Sequence, residues 1–504
     1  MTVTLTPGIA LEELTFSNAF AALGKRFFET RTPSGLAGAR LVAVSTDAAA
    51  LIDLRASELT REEFVRIASG TAVLPGMAPF AALYGGHQFG AWAGQLGDGR
   101  AVALGEITNR RGEPWEIQLK GAGQTAYSRS ADGRAVLRST IREFLASEAM
   151  DALGIPTTRA LAMVASDEPV YRESIETAAI VVRLAPSFVR FGSFEIFAMR
   201  GEDDAMRVLA DYVIDRFYPE CGTGADRYAR FFETVLQRTA RLMADWQSVG
   251  FMHGVMNTDN FSILGLTLDY GPYGFMEGYR PGQICNHTDH GGRYAFDRQP
   301  AIGLWNCYAL ANALATLVET AQLDASIATY VPTLREAFVA RTRAKLGLAN
   351  AEPDDDDLGG DLRAAMAAAR SDFTRTFRML ADIRTTGESE GDGGRARAHR
   401  EAFHLALGGT ADAATWIDRY ERRLEREARP AAARAAAMNA VNPRIVLRNH
   451  LAQEAIAASQ SGDDEPVRRL LAALRRPYSD DPAVAAYDRP ASADGPPIVV
   501  SCSS

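Results

Sequence analysis

The clearest hydrophobic pattern in the chain is a short segment in which apolar and polar side chains alternate. In WEIQLK, residues 115–120, every second residue is apolar, and Lys120 closes the polar row between them. Such alternation predicts a β-strand with one buried face and one polar face. The run Ala101–Ile107 predicts the preceding strand, and Asn109–Gly112 has the composition of the hairpin turn that joins the two.

Helical spacing takes over after this hairpin. A helix is predicted from about Ala135 to Leu153, where Gly154 and Pro156 would end it. Its apolar stripe consists of Leu137, Ile141, Phe144 and Leu145. Two further strands are expected near Leu161–Ala165 and Ala179–Leu184, because both segments are rich in apolar residues that suit a sheet.

The second half of the chain is mainly helical in pattern. Apolar residues from Met206 to Phe217 and from Phe232 to Trp246 predict two helices, and the second should end at Gly250. Helical spacing returns from about Gly303 to Arg476. It is interrupted by the acidic run 352–360, whose charge predicts a solvated loop.

Composition narrows the class of protein. The 504 residues are 47% hydrophobic and 23% charged, which is ordinary for a soluble globular chain. The net charge of −9 argues against nucleic acid as a partner, because phosphate backbones require a basic surface. No apolar run approaches the roughly 20 residues that span a bilayer, and no export signal precedes the first strand, so we expect no membrane partner and a cytoplasmic location. The four widely spaced cysteines fit a reducing compartment.

The segment HGVMNTDNFSILGLTLDYG, residues 253–271, has the layout of a phosphotransferase catalytic loop. The kinase template places an aspartate two residues after a histidine, an asparagine five residues further on, and then an Asp-x-Gly that holds magnesium. Here His253, Asn260 and Asp269 stand at their template positions. Val255 stands where the template has its catalytic aspartate, so the metal-binding residues are present and the usual base is missing.

A different carboxylate, Asp259, directly precedes the metal-type asparagine. It is a candidate to accept a proton from an incoming hydroxyl group, and an Asx-turn is the structural alternative. Asn260 and Asp269 offer oxygen ligands of the kind that a hard cation such as Mg²⁺ prefers. The sequence therefore predicts a metal site next to an unusual base.

The glycine-rich turn GQLGDGR, residues 94–100, is a candidate phosphate site. It is not G-x-G-x-x-G and does not lead into a helix, which disfavours a dinucleotide fold. Glycines such as Gly97 and Gly99 let backbone amides approach phosphates closely, although a structural hairpin is the alternative. Lys120 and Glu143 favour the phosphate interpretation, because they stand where a kinase has its phosphate-pairing lysine and the ion-pair partner of that lysine.

Several basic residues are placed to meet the same phosphates. Arg183 alternates with the apolar residues of its predicted strand, and Arg190 follows one short turn later. Together with Arg100 and Lys120 they would surround a terminal phosphate with more positive charge than a kinase usually gathers. The alternative is ordinary surface ion pairing, so the excess matters only if the four side chains converge.

The order of these elements is that of a protein kinase. We therefore expect an α+β protein with a bilobal, protein-kinase-like fold, a β-rich N-lobe and a mostly helical C-lobe. The expected parts are an N-terminal extension packing on the body (1–75), the N-lobe (76–200), the helical C-lobe with the catalytic and metal loops (201–476), and a tail with Cys502 (477–504). Within the extension, Phe16, Phe20, Leu23 and Phe27 fall at helical spacing.

The segment NHTDH, residues 286–290, resembles a metal cluster only at first sight. Three potential ligands within an extended loop rarely converge on one ion. Hydrogen bonding within an activation-loop-like segment is the better interpretation.

Four motifs spread along nearly the whole chain resemble the selenoprotein O family of kinase-like protein adenylyltransferases. They are YGGHQFGAWAGQLGDGR, WEIQLKGAGQTAYSRSADGRAVLRSTIREFL, HGVMNTDNFSILGLTLDYGP and NHTDHGGRYAFDRQP. The resemblance implies that ATP binds in an orientation flipped relative to kinases. It also implies that AMP, and not the γ-phosphate, passes to Ser, Thr or Tyr hydroxyls of target proteins, with release of pyrophosphate. The partners implied are ATP and proteins with exposed hydroxyl side chains.

The same resemblance assigns roles to individual residues. Asp259 would be the base, and Asn260 and Asp269 would bind Mg²⁺, with Mn²⁺ as the alternative metal. The nucleotide would be bound by Gly97, Gly99, Arg100, Lys120, Asp132, Gly133, Arg183 and Arg190, with Asp269 also near the phosphates. A flipped nucleotide gives the surplus arginines a function, because the γ-phosphate then lies deep among them.

Two other classes compete with an adenylyltransferase: a kinase that transfers the γ-phosphate, and a catalytically inactive pseudokinase scaffold that binds nucleotide. Val255 in the base position counts against the kinase, and retention of the metal-type residues Asn260 and Asp269 counts against the scaffold. The family's animal members carry selenocysteine near the C-terminus, where this chain has Cys502. One hypothesis is that Cys502 pairs with Cys285 under oxidation, and an inert exposed thiol is the alternative.

Overall fold

A sheet and a large set of helices make up the part of the chain that this computed structural model describes, residues 8–385, 388, 393–492, 498 and 500. The strands are β1 (Phe28–Thr30), β2 (Arg40–Val44), β3 (Phe80–Ala82), β4 (His87–Gln88), β5 (Ala91–Trp92), β6 (Ala101–Thr108), β7 (Pro114–Lys120), β8 (Ala135–Val136), β9 (Arg159–Tyr171), β10 (Ile175–Ala185), β11 (Phe251–Met252) and β12 (Gly274–Phe275). The helices are α1 (Thr46–Leu51), α2 (Glu62–Ala68), α3 (Leu137–Ala152), α4 (Phe191–Arg200), α5 (Asp203–Phe217), α6 (Arg227–Val249), α7 (Gln299–Leu314), α8 (Thr320–Ile327), α9 (Tyr330–Lys345), α10 (Asp355–Ala369), α11 (Phe373–Met379), α12 (Gly393–Ala406), α13 (Ala411–Leu424), α14 (Ala431–Asn439), α15 (Asn449–Gln460), α16 (Glu465–Leu474) and α17 (Pro482–Ala485). This combination has the α+β character predicted from the sequence.

The main sheet is antiparallel and runs in the order β1-β3-β6-β7-β10-β9-β2, with β8 pairing beside β10. The alternating strand predicted at residues 115–120 is β7, and it lies between β6 and β10. Lys120, at the end of β7, pairs across the sheet with Ala101 on one side and Val181 on the other. The lysine is therefore internal to the sheet and not on an exposed edge.

The two faces of β7 differ as the alternation predicts. Ile117 and Leu119 are buried in an apolar core with Val102 of β6 and Val182 of β10. Lys120 lies on the opposite face, where α3 packs against β9 and β10. The sheet thus directs one row of polar side chains toward the helices and away from the apolar core.

The first 75 residues contribute strands to this sheet. Strand β1 pairs with β3, and β2 pairs with β9. The helical spacing of Phe16, Phe20, Leu23 and Phe27 does not produce a helix, because between Phe16 and Phe27 the chain forms one short 3₁₀ turn, Ala21–Leu23, which ends at Gly24 with φ 102°. Instead, the ring of Phe20 stacks on Phe80 with centroids 5.4 Å apart, and Phe27 packs in the same core. Their spacing reflects a turn followed by a strand.

The helix that carries the predicted lysine partner begins two residues later than expected and spans Leu137–Ala152. The long helix α6 ends at Gly250, whose φ of 71° forms a left-handed C-cap. This cap turns the chain into β11 and then into the loop that begins at His253. The start of α3 and the end of α6 thus lie close to where the sequence predicts them, and α6 leads into the loop of candidate residues.

The prediction of a solvated loop for the acidic run is wrong. Asp355 begins α10 and is buried, and Arg423 of α13 lies 2.7 Å from its carboxylate. Carboxylates in a first helical turn are stabilised by the partial positive charge of the helix N-terminus. The buried arginine supplies the remaining compensation.

The last described residue, Val500, lies beside the predicted activation-loop-like segment. Its carbonyl oxygen accepts a hydrogen bond from the amide of His287 at 3.2 Å. Cys502, and with it the hypothesis of a Cys285–Cys502 bond, lies outside the described residues. Among the described helices, none combines the length and the apolar composition needed to cross a membrane.

Candidate active site

A cavity of about 720 Å³ opens between the ends of β6, β7 and β10 and the loop that follows β11. Ten of the eleven residues predicted as site residues line it: Gly97, Gly99, Arg100, Lys120, Asp132, Gly133, Arg183, Asp259, Asn260 and Asp269. Arg190 lies behind the wall, buried against Tyr84, which does line the cavity. Segments more than 150 residues apart in the chain thus meet at one site, as the motif spacing predicts.

Two cations and two carboxylates form a compact cluster in the wall of this cavity. Lys120 Nζ lies 2.7 Å from Glu143 Oε2 and also contacts Asp269. Arg183 Nη1 lies 3.0 Å from Glu143 and 2.7 Å from Asp269. The predicted ion pair between Lys120 and Glu143 is therefore present, and Arg183 closes it into a four-membered network.

This network fixes the charge of Asp269. Burial alone would raise the pKa of its carboxyl group, but the charges of Lys120, Arg183 and Arg190 outweigh burial and hold the pKa well below its usual range. The group is consequently ionised at neutral pH. An ionised carboxylate that faces a cavity is a ligand of the kind that hard divalent cations bind.

Arg190 acts from behind the wall of the cavity. Its Nη1 donates to the carbonyl oxygen of Asp259 at 2.9 Å, and its guanidinium stacks 4.3 Å from the ring centre of Tyr84. It also lies 3.8 Å from a carboxylate oxygen of Asp98 and 3.8 Å from one of Asp269. The side chain therefore positions the loop that carries Asp259 and adds positive charge from behind.

Asp259 lies in the 3₁₀ turn Thr258–Asn260. It is 8% exposed, and its Oδ1 makes no hydrogen bond to any described residue. Burial raises the pKa of its carboxyl group to about 6, against the lowering effect of nearby Arg190. A carboxylate with a free oxygen and a pKa near neutrality has the properties of a general base.

The neighbouring Asn260 is oriented for a ligand. Its Nδ2 donates to the carbonyl oxygen of Val255 at 3.0 Å, which leaves its Oδ1 as the remaining ligand atom. Asn260 and Asp269 both line the cavity, so the donor set fits a hard cation. Within the described residues no group of three histidine, cysteine or acidic side chains is placed to hold a metal ion, so further ligands would come from phosphates or water.

Close packing explains two of the predicted glycines. Gly97 has φ 139°, and a Cβ atom there would lie 2.3 Å from the ring of Tyr127. Gly133 has φ 71°, and its Cβ atom would lie 2.2 Å from the backbone of Gly123. A side chain at either position would displace a wall of the cavity.

The histidine that begins the catalytic-type segment has a structural role. His253 is buried, its ring packs at a tilt against that of Trp246 with centroids 5.1 Å apart, and burial lowers its pKa to about 4. The NHTDH segment is held by hydrogen bonds, as predicted: Asn286 donates to the carbonyl oxygen of Gly254 at 3.1 Å. Asp289 accepts from two backbone amides of the same loop.

The structure adds basic residues that the sequence analysis did not identify. Arg134 and Arg172 line the cavity, and Arg172 lies 2.7 Å from the predicted nucleotide-binding residue Asp132. This hydrogen-bonded pair lowers the pKa of Asp132. Arg134 directly follows the predicted Gly133, so its place within a motif could have identified it from the sequence. Arg172 lies in the turn between β9 and β10, and this turn carries no motif.

A second missed element is the hairpin formed by β4 and β5. Its tip residue Phe89 has φ 50°, is 44% exposed and packs at a tilt against Tyr294 with ring centres 5.0 Å apart. The Phe89 amide is held by Tyr294 Oη at 2.9 Å and Asn257 Oδ1 at 3.2 Å. Gln88 donates to Asp259 Oδ2 at 3.4 Å. The hairpin therefore packs directly on the turn that carries the candidate base.

Buried cations, an ionised carboxylate and a carboxamide around one cavity are the parts of an enzyme that transfers phosphorus-containing groups, and this is the class that fold and site define. The family model described as protein adenylyltransferase SelO matches residues 10–475. The chain therefore belongs to the SelO family of protein adenylyltransferases and is a nucleotidyltransferase.

Curated relatives match over nearly their full length. Proteins named protein nucleotidyltransferase YdiU from Bordetella parapertussis and Thiobacillus denitrificans are 51% and 52% identical, and one from Myxococcus xanthus is 49% identical. Each match covers 98% of this chain and 99% of the relative. The family and enzyme class predicted from the motifs are thereby confirmed.

Proposed function

We propose that this chain transfers AMP from ATP to Ser, Thr or Tyr hydroxyl groups of proteins and releases pyrophosphate. The observation that carries the proposal is the combination at the cavity wall. Val255 occupies the position of the kinase base, while Asp259 presents a buried carboxyl group with an unpartnered oxygen. Because a valine stands at the position of the kinase base, this enzyme cannot activate the acceptor hydroxyl as a kinase does.

We further propose a kinase-like bilobal arrangement for the fold. The lysine strand β7, the glutamate helix α3 and the loop from His253 to Asp269 follow one another as in a kinase. In this proposal the N-lobe covers residues 76–200, the helical C-lobe covers 201–476, and the cavity lies between them. Residues 1–75 form an extension that packs on this body, and residues 477–504 form the C-terminal tail with Cys502.

ATP is the co-substrate in this proposal. Its binding residues are Gly97, Gly99, Arg100, Lys120, Asp132, Gly133, Arg183, Arg190 and Asp269. A flipped nucleotide directs its γ-phosphate toward the buried cations and its α-phosphorus toward the acceptor. The network of Lys120 and Arg183 supports this orientation, because fixed cations stabilise the charge that develops on a pyrophosphate leaving group.

Asp259 is the proposed base. It would accept the proton of the acceptor hydroxyl as that oxygen bonds to the α-phosphorus, while the bond from the α-phosphorus to the pyrophosphate oxygen breaks. Asn260 and Asp269 would hold Mg²⁺, with Mn²⁺ as the alternative, and such an ion supplies positive charge to the phosphates. The pKa of about 6 fits Asp259 to this role, because the group is mainly ionised at pH 7 yet basic enough to take a proton.

The partners in this proposal are ATP and proteins with exposed hydroxyl side chains. The net charge of −9 supports the exclusion of nucleic acid. Neither a nucleic-acid nor a membrane partner is part of the proposal, and the location is cytoplasmic.

Differently labelled ATP tests the function. The protein is incubated with Mg²⁺, a bacterial extract as acceptor and ATP labelled at either the α- or the γ-phosphorus. We expect protein-bound α label, no γ label, and loss of the label in Asp269→Ala. Transfer of γ label would identify a kinase, and transfer of neither label would identify a scaffold.

A further inference from the structure

A second, smaller cavity of about 280 Å³ lies between α4 and α7, on the other side of the β4–β5 hairpin from the active site. Its walls are largely apolar and aromatic, and they include Met199, Trp305 and Tyr308. Its polar end is formed by His87 and Glu195. We refer to this cavity as the side pocket.

The polar end of the side pocket carries an incompletely satisfied carboxylate. Glu195 is 2% exposed, and its Oε1 lies 2.5 Å from His87 Nδ1. Its Oε2 makes no close hydrogen bond to any described residue. Burial raises the pKa of this carboxyl group, whereas the hydroxyl of Thr258 and the neighbouring His87 lower it. A buried carboxylate oxygen without a donor costs free energy, and a ligand that brings a donor and a positive charge removes that cost.

The aromatic walls favour the same kind of ligand. The ring of His87 meets that of Trp305 edge-on, with centroids 5.5 Å apart, and lies 5.3 Å from that of Trp92. The guanidinium group of Arg293 lies 4.8 Å from the centre of the Trp305 ring, so this ring already binds one cation. Aromatic faces attract ammonium and guanidinium groups, and their apolar surface also packs against the methylene stem of Lys or Arg. An anion would meet the Glu195 carboxylate and is therefore disfavoured.

The side pocket is coupled to the active site through one hairpin. The His87 amide donates to Thr258 Oγ1 at 2.7 Å, and the next residue, Gln88, donates to Asp259 Oδ2 at 3.4 Å. One short element therefore forms a wall of the side pocket and a contact to the proposed base. A side chain seated in the side pocket would belong to a chain that passes close to Asp259.

The rim of the side pocket is suited to a protein surface. Met199 is 60% exposed and Tyr308 is 48% exposed, one on each helix that flanks the opening. Phe89, at the tip of the hairpin, is 44% exposed and lines the active-site cavity. Exposed large apolar side chains grouped around two adjoining cavities mark an interaction surface.

We propose that the side pocket binds a Lys or Arg side chain of the acceptor protein, close in space to the hydroxyl group that receives AMP. The acceptor lies across the β4–β5 hairpin, with its hydroxyl at Asp259 and its basic side chain against Glu195. The inference rests on the proposed function and assigns the acceptor specificity of that reaction.

The test begins with the sites that the enzyme modifies. Wild-type protein is incubated with Mg²⁺, ATP and a bacterial extract, and the AMP-bearing sites are mapped by mass spectrometry. A peptide is then made from a modified site in two forms, one with Lys and one with norleucine, which keeps the stem without the charge. We expect kcat/KM to be about tenfold higher for the Lys peptide.

Glu195→Gln removes the charge and retains the shape of the side chain. We expect it to lower kcat/KM for the Lys peptide about tenfold and to leave the norleucine peptide unchanged. The Lys peptide with its hydroxyl residue replaced by Ala should compete with acceptors for wild-type enzyme and lose this effect with Glu195→Gln. An equal loss on both peptides would overturn the proposal, because Glu195 would then only support the loop.

A pair of surface variants gives a second readout in case Glu195→Gln fails to fold. Met199→Lys places a positive charge at the rim and should weaken the preference for the Lys peptide. Val208→Lys, on α5 and also exposed, makes the same change away from the side pocket and should leave the preference intact. Equal preference in both variants and in the wild type would contradict the proposal.

The outcomes separate this inference from the proposed function. If no protein in the extract receives α label, the proposed function fails and the inference fails with it. If proteins are labelled but modified sites show no nearby basic residue, in sequence or in the folded acceptor, only the side-pocket inference fails.

Discussion

Arg183 Nη1 lies 2.7 Å from Asp269 Oδ1, and Lys120 contacts the same oxygen. The carboxylate that would hold the metal is thus also the partner of the two cations that would hold phosphate. A divalent cation on Asp269 would weaken its pull on Lys120 and Arg183 and leave both side chains for the triphosphate. Metal and nucleotide are expected to bind cooperatively for this reason.

The first prediction follows from this shared carboxylate. In Asp269→Asn, with EDTA present, we expect ATP to bind about tenfold more tightly than in the wild type, because a competing negative charge is removed. With Mg²⁺ present, transfer of AMP should fall at least about 100-fold. Isothermal titration calorimetry and α-label transfer measure the two effects.

The matched control for this prediction is Asp151→Asn. It also removes a carboxylate paired with an arginine, Arg159, but outside the cavity. It should change neither ATP affinity nor transfer. Weaker metal-free ATP binding by Asp269→Asn would mean that Asp269 does not compete with phosphate.

The pH dependence of transfer provides the second prediction. Burial raises the pKa of Asp259 to about 6, so the carboxyl group is protonated below that pH and ionised above it. A base must be ionised, and the single-turnover rate should therefore rise with pH and level off above about pH 7. The rate is measured with saturating ATP between pH 5 and 8.

Asp259→Asn should abolish this rise and lower the rate at pH 7.5 at least about 100-fold. ATP affinity measured at the same pH values serves as the control for effects on binding. A wild-type rate that is flat between pH 5 and 7 would remove Asp259 from the role of base.

The contacts that the sequence predicted share a simple physical origin. Alternation along β7 placed Lys120 on the polar face, and the spacing of the kinase template linked it to Glu143, which lies 2.7 Å away. The left-handed cap at Gly250 ended α6 where its composition indicated. Local patterns decide such features, so one sequence is sufficient to find them.

Other features depend on contacts between distant segments. Arg172 lies in a hairpin turn that has no motif and pairs with Asp132. Gln88 donates a hydrogen bond to Asp259, which is 171 residues away in the chain. The burial of Asp355 depends on Arg423, whose position no local pattern indicates. Composition describes a side chain's preferences, whereas tertiary partners decide whether its charge is buried or solvated.

The third prediction concerns the vacant base position of the kinase template. Val255→Asp restores the kinase pattern two residues after His253. If the nucleotide is flipped, the γ-phosphorus is directed away from the acceptor, and the variant should show no efficient γ-label transfer to proteins. Transfer of α label by the same variant is measured in parallel, and Val255→Asn serves as the uncharged control. Robust γ transfer by Val255→Asp would mean that the nucleotide is not flipped.

The fourth prediction concerns a buried lysine in the helical region. Lys345, the last residue of α9, is 6% exposed, and its Nζ lies 4.4 Å from the ring centre of Phe377. Burial lowers its pKa from 10.5 to about 7. Below pH 7 the folded protein must bury a charged amine. Between pH 7 and 10.5 the folded protein has lost this proton while the unfolded chain retains it, so the penalty shrinks as pH rises.

Lys345→Met should therefore raise the free energy of unfolding at pH 6 by roughly 2–4 kcal/mol, since each unit of displaced pKa corresponds to about 1.4 kcal/mol. The gain should decline toward pH 10, as measured by urea unfolding at several pH values. Lys25→Met, at an exposed position, is the control and should change stability at none of them. A gain for Lys345→Met that is independent of pH would mean that the amine has the same pKa in the folded and the unfolded protein.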